Sequence, residues 1–260
     1  MKRRTAIGTV VGTLASIMLL ATLSPRLAYA DNTECTGTLT GTYDNVVVPS
    51  GADCVLSGAH VIHNVRVESG ASLLATIGLG STTIGGNVHG IHSKFVLLVF
   101  QTQVGGNLHV HGGDAGTTSG FDIGVTIGGN ATIELNAGRT FVDAATVGGQ
   151  LNVWRNTGCA VEVEFNTVGG HIRVEDNIIG VVPIAECPNP PVGLPTVGTG
   201  MSIFTNMVPT GNLLVLRNSG GGVKNVVSNT VGKTLRCSDN DDPFVGGPNS
   251  ASRLQGDQCF

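Results

Sequence analysis

Short bursts of alternating apolar and variable residues recur along the chain, four of them opened by two glycines and an amide. Ile84-Gly-Gly-Asn87-Val-His is followed by Val104-Gly-Gly-Asn107-Leu-His-Val and Ile127-Gly-Gly-Asn130-Ala-Thr-Ile. Val147-Gly-Gly-Gln150-Leu-Asn-Val and Val168-Gly-Gly-His171-Ile-Arg-Val continue the series. Asn45-Val-Val-Val and Val61-Ile-His-Asn64-Val-Arg-Val precede it, and Thr210-Gly-Asn212-Leu-Leu-Val and Val231-Gly-Lys-Thr234-Leu-Arg-Cys end it. The fourth motif position falls at 45, 64, 87, 107, 130, 150 and 171, in steps of 19 to 23 residues. Alternation with a period of two is the signature of a strand with one buried face. Its return about every twenty residues makes each unit one turn of a solenoid, too small to bury its apolar side without neighbours.

The expected fold is therefore all-β, a right-handed parallel β-helix with coils of about 20 residues; the hexapeptide repeats usual in left-handed helices are not visible. Val65 and Val67, Leu108 and Val110, Ala131 and Ile133, Leu151 and Val153, and Ile172 and Val174 should point into one core. Gly-Gly should supply the tight turn between faces. The Asn at the fourth position can bond to the Asn of the next coil as an amide ladder. A second Asn column follows six residues on, at Asn136, Asn156, Asn177, Asn218 and Asn240. The register breaks after His171, where Pro183, Pro188, Pro190, Pro191 and Pro195 mark an excursion over 183–195. The polar stretch 238–260 reads as a cap on the open end.

Residues 1–30 read as a signal peptide: Lys2, Arg3 and Arg4, an apolar run, then Ala28-Tyr29-Ala30 before Asp31. Residues 31–260 then form a single secreted domain, with no later segment long enough to cross a bilayer. Without Lys2, Arg3, Arg4 and Arg26, ten basic residues face eighteen acidic ones, a net charge of −8. That balance argues against nucleic acid as a partner. All six cysteines (Cys35, Cys54, Cys159, Cys187, Cys237 and Cys259) follow the leader, and an even count after a signal peptide points to disulfides. Of the fifteen possible pairings the sequential one is expected: Cys35–Cys54, Cys159–Cys187 and Cys237–Cys259.

Stacking the coils lines up the outward positions. One column reads Val47, Arg66, His89, His109, Thr132, Asn152, Arg173; the next reads Pro49, Glu68, Ile91, His111, Glu134, Trp154, Glu175. His89, His109 and His111 should cluster between Arg66 and Arg173. Trp154, the one Trp of the chain, is placed either as a stacking platform for a sugar ring or as a residue covered by a loop. The histidines fit three readings: solvated strand residues, acid–base groups near neutral pH, or ligands of zinc together with Glu134. Asp239, Asp241 and Asp242 lack the loop spacing and glycine of calcium sites. No Gly-x-Ser-x-Gly elbow and no phosphate-binding Gly-x-x-x-x-Gly-Lys loop occurs. No cofactor is expected.

The Gly-Gly-Asn coils and the opening Cys35-Thr-Gly-Thr-Leu39, Tyr43-Asp-Asn-Val-Val-Val-Pro49 and Cys54 resemble the secreted β-helix proteins of bacteria, and among them the small hyaluronate lyases. The resemblance spans most of the chain and lies in structural motifs. It implies β-elimination at a uronic acid of an extracellular polysaccharide. His109, then His111, would take the C5 proton, and Arg173 with Asn152 would neutralise the carboxylate. Trp154, His89, Arg66 and Glu134 would bind neighbouring sugar. The alternative expectation is a non-catalytic solenoid whose outward face binds glycan or serves a structural or adhesive role at the cell wall.

Overall fold

The computed structural model describes residues 31–180 and 200–259. The leader at 1–30, the excursion at 183–195 and Cys187 lie outside the described residues. The chain forms a right-handed parallel β-helix of about nine turns with coils of roughly 21 residues, and the described residues contain no helix. One coil shows the pattern. Leu151–Trp154 lies on the first face, Thr157–Gly158 at the corner, Ala160–Glu164 on the second face and Thr167–Val168 on the third. Each pairs in parallel with its counterpart one coil on: Leu151 with Ile172, Ala160 with Gly200, Thr167 with Met207.

Alternation dictates the core. Val65, Val88, Leu108, Ala131, Leu151, Ile172, Leu213 and Leu235 stack in a column, each at most 1 % exposed. Every residue expected to point inward does so. A buried aliphatic side chain contributes about 1.5–3 kcal/mol relative to an exposed one. Such columns therefore hold the solenoid together and fix its register, since a one-residue slip would turn each column out to water.

The glycine pairs act differently from the tight turn expected of them. None of the repeat motif's glycines (Gly85, Gly86, Gly105, Gly106, Gly128, Gly129, Gly148, Gly149, Gly169 and Gly170) has a positive φ. What they permit is close stacking: a Cβ on Gly106 would lie 2.5 Å from Asn87 Oδ1, and one on Gly129 2.5 Å from Asn107 Oδ1. The positive φ sits instead on the residue before the second Asn column, at Leu135, Arg155, Asp176, Arg217 and Asp239.

Three amide ladders run along the solenoid. In the exposed one, the backbone N–H of Asn87 donates to Asn64 Oδ1 (2.9 Å) and that of Asn107 to Asn87 Oδ1 (2.8 Å). The buried ladder from Asn136 to Asn240 runs the other way: the Asn156 N–H donates to Asn177 Oδ1 at 3.0 Å, and Asn177 to Asn218 at 3.2 Å. A third, also buried, joins Asn166, Asn206, Asn229 and Asn249. Its sequence trace is an Asn three residues before the Gly-Gly position, as in Asn166-Thr-Val-Gly169 and Asn229-Thr-Val-Gly232.

Disulfides pin both ends. Cys35 pairs with Cys54 and Cys237 with Cys259, as expected. Cys159 is also disulfide-bonded; its expected partner, Cys187, lies outside the described residues. The tail is more than a polar cap, because Phe244–Gly246 and Ser250–Gln255 pair in parallel with the preceding coil and extend the solenoid.

Candidate functional site

Five neighbouring strands of the first face carry the candidate residues: Val88–Ile91, Leu108–Gly113, Ala131–Asn136, Leu151–Trp154 and Ile172–Glu175. Register sets His89, His109, Thr132, Asn152 and Arg173 in one row, and His111, Glu134, Trp154 and Glu175 in the next. Both rows match the columns read from the sequence. Outward side chains in adjacent coils stand about 4.8 Å apart, close enough to bond across strands.

Glu134 is the hub. His109 Nε2 lies 2.8 Å from its Oε1, and His111 Nδ1 3.3 Å from the same oxygen. The indole N–H of Trp154 donates to the other oxygen, Oε2, at 2.9 Å. Burial works to raise the Glu134 carboxyl, but the bonds from His109, His111 and Trp154 outweigh it and hold the group below its ordinary range. An ionised Glu134 accepting from His109 Nε2–H leaves Nδ1 as the basic atom of that ring.

His89 stacks on His109 with ring centroids 5.0 Å apart and planes 14° from parallel. Burial, together with the imidazoles of His109 and His111, lowers its proton affinity. His89, His109, Asn87, Asn107 and Val88 line an open depression of about 320 Å³. His92, unremarked in the sequence, meets His111 edge-on at 5.1 Å from the corner where its φ is +49°. Among the described residues, His109, His111 and Glu134 form the one group of three whose metal-ligand-type atoms lie within 4.8 Å of one another. His89 does not join it.

The arginines are engaged. Arg173 makes a two-pronged pair with Glu175 (3.1 and 2.9 Å), and its guanidinium lies 5.3 Å from the Trp154 ring centroid. The guanidinium of Arg155 lies 6.0 Å from the same ring. Trp154 is half-buried by these neighbours and its own hydrogen bond, a state between the exposed platform and the covered residue weighed from sequence. Arg217 bridges Glu175 and Asp176. Arg66 is paired with Glu68 at 2.8 Å beside His89. Asn152 Nδ2 reaches Thr132 Oγ1 at 3.4 Å, while its Oδ1 is buried without a partner.

A second ionic group lies on the second face, at outward positions that are nevertheless buried. Arg139 and Glu162 form an ion pair, each 3 % exposed. Burial pushes the Glu162 carboxyl up to about 7 although Arg139 pulls it down. Asp143 is pushed up to about 6 by burial and by the charges of Asp122 and Glu164. Alternation marks these positions as outward and gives no sign of their burial. The carboxylates of Asp239, Asp241 and Asp242 do not converge into a group of ligands.

Comparison with family models, curated proteins and solved structures finds no match to the chain. Fold and side-chain geometry thus define the molecule as a disulfide-linked right-handed β-helix with an imidazole–carboxylate–indole cluster on its first face. Among the described residues no helix is long and apolar enough to cross a membrane.

Proposed function

We propose that the chain is a secreted polysaccharide lyase that cleaves a uronic-acid glycan of the hyaluronan type by β-elimination on the first face. The observation that carries this reading is the chain of hydrogen bonds from Trp154 through Glu134 to His109. A base orientated by a carboxylate that is itself held by a third group is the arrangement proton abstraction requires. In the reaction, His109 Nδ1 takes the proton from C5. The electron pair of that C–H bond forms the C4=C5 double bond, and the C4–O4 bond breaks as O4 receives a proton. His111, 6.1 Å from His109 between ring centroids, stands on the same strand as a source of that proton.

Negative charge builds at the uronate carboxylate as C5 loses its proton, and cations near it lower the barrier. Arg155 and Arg173 stand beside the indole, and Arg217 lies one coil further on; Arg173 and Arg217 already contact Glu175. A substrate carboxylate at Arg173 therefore competes with Glu175 for the guanidinium. Asn152, with its buried unpartnered oxygen, lies in the same row and completes the polar floor.

Hyaluronan, chondroitin and pectate should be incubated with the protein and followed by the far-ultraviolet absorbance of the unsaturated product. Turnover of at least one is expected, with a loss of about 10²–10⁴-fold in His109→Ala. No absorbance rise with any of the three would overturn the reading. A non-catalytic glycan-binding solenoid is favoured by one observation, the openness of the depression beside His89. That reading predicts retention on an immobilised glycan with no product formed, and weaker retention in His89→Ala, whose side chain lines the depression.

A further inference from the structure

We propose that His109, His111 and Glu134 form a binding site for one divalent transition-metal ion of the zinc, nickel or copper type. Two imidazole nitrogens, His109 Nε2 and His111 Nδ1, converge on one carboxylate oxygen at 2.8 and 3.3 Å. Zinc binds such ligands at about 2.0–2.2 Å, so tetrahedral ligands stand roughly 3.3 Å from each other. The two nitrogen–oxygen separations therefore need at most about half an ångström of opening, and all three atoms already lie within 4.8 Å of one another, a spread that surface side chains at 39 % and 29 % exposure can adjust. At those three atoms an ion would replace the protons now shared between the rings and the carboxylate.

The backbone supplies the preorganisation. His109 and His111 are two apart on one strand and so share a face, and Glu134 is the register partner of His111 one coil on. Both strands are bonded on either side, so the ligand spacing is fixed before any ion arrives. The outer shell is also built: the Trp154 N–H holds Glu134 Oε2 at 2.9 Å, directing Oε1 to the imidazoles, and His89 packs flat against His109. Two nitrogens and one oxygen favour the later first-row metals and disfavour calcium or magnesium, which need more oxygen ligands. Three protein ligands leave at least one position open to water or another ligand.

A metal here has a consequence for the proposed chemistry, and this part rests on the lyase reading. The ion occupies His109 Nε2 and withdraws Glu134, so the carboxylate no longer raises the basicity of the ring. Metal occupancy and proton abstraction by His109 then exclude each other, and zinc acts as an inhibitor at this site.

The experiment is a calorimetric titration of the full chain with zinc, together with cobalt(II) absorption spectroscopy. One equivalent of zinc should bind, and cobalt should give the visible bands of a four- or five-coordinate nitrogen–oxygen site. Glu134→Gln and His111→Ala should each weaken binding by about tenfold or more, and Trp154→Phe by about tenfold, the usual cost of losing an outer-shell partner. His63→Ala, outside the cluster, should change nothing. Circular dichroism of each variant establishes that the coils remain folded. Absence of zinc binding, or binding that survives His109→Ala with His111→Ala, overturns the proposal. Zinc binding in a protein inert towards every uronic-acid glycan would leave the metal site standing and remove the lyase reading. Turnover without zinc binding would do the reverse.

Discussion

At the scale of single residues, the chemistry depends on which carboxylates are held charged and which are kept neutral. Glu134 is held ionised by three donors, whereas Asp143 is buried with Oδ1 lacking a partner. Native Asp143 releases its proton at about 6, against 3.8 for an ordinary aspartate. Between those values the native state binds more protons than the unfolded chain, so this group makes stability fall as pH rises. Asp143→Asn removes a desolvated charge and keeps the shape. It should raise stability by roughly 1–3 kcal/mol at pH 8 and leave it nearly unchanged at pH 3.5. Urea unfolding of both proteins at the two pH values measures the difference. An equal shift at both would place the effect in packing instead of charge.

Between residues and the whole lie the coils, where the ladders decide strength. Asn156 donates from its side chain to Asn177 Oδ1 (2.9 Å) and to the Ile133 carbonyl (3.2 Å), and its Oδ1 accepts from the Asn136 N–H, all out of water. Asn156→Ala removes three buried hydrogen bonds and strips the Asn136 N–H of its acceptor, and should cost about 3–5 kcal/mol. Asn107 occupies the exposed ladder, where water replaces a lost partner, so Asn107→Ala should cost below about 1 kcal/mol. Chemical denaturation of the two variants tests the contrast. The coil was legible because alternation and the Gly-Gly-Asn signature repeat in step, which placed the core and both site rows in correct register. The third ladder was harder to see, because Ala145 stands in place of an Asn one coil before Asn166 and the excursion separates Asn166 from Asn206. The steric reason for Gly-Gly was not legible at all: nothing in one coil's sequence tells that the next coil's amide oxygen will lie against it. The partners of Arg173 and Trp154 were hidden similarly, since side-chain direction along a flat face is settled by neighbours on the same strand and on the next coil.

For the molecule as a whole, stability is a sum of coils and their contacts, and the ends are the weak points. Cys237–Cys259 closes a loop of 22 residues at the final turn. Such a closure contributes about 3 kcal/mol by restricting the unfolded chain. Replacing both cysteines by serine should speed amide hydrogen exchange in 213–259 while leaving 131–175 protected. Uniform acceleration throughout would mean that the solenoid unfolds as one unit. The first-face cluster lies far along the axis from either end, so fraying of the last turn should not disturb the geometry around Glu134.

The two kinds of ladder run in opposite directions, and this makes each coil an interchangeable link. Along each ladder, successive Asn-bearing turns present the same amide donors and acceptors. A duplicated turn could be spliced between Gln150 and His171 with the joints of both buried ladders matched. The first face would then work as a ruler: each added link moves Arg173 about 4.8 Å further from His109, while His109, His111 and Glu134 keep their spacing. For the lyase proposed above, reach along a polymer and chemistry at one point would thus be altered separately, by gene duplication alone.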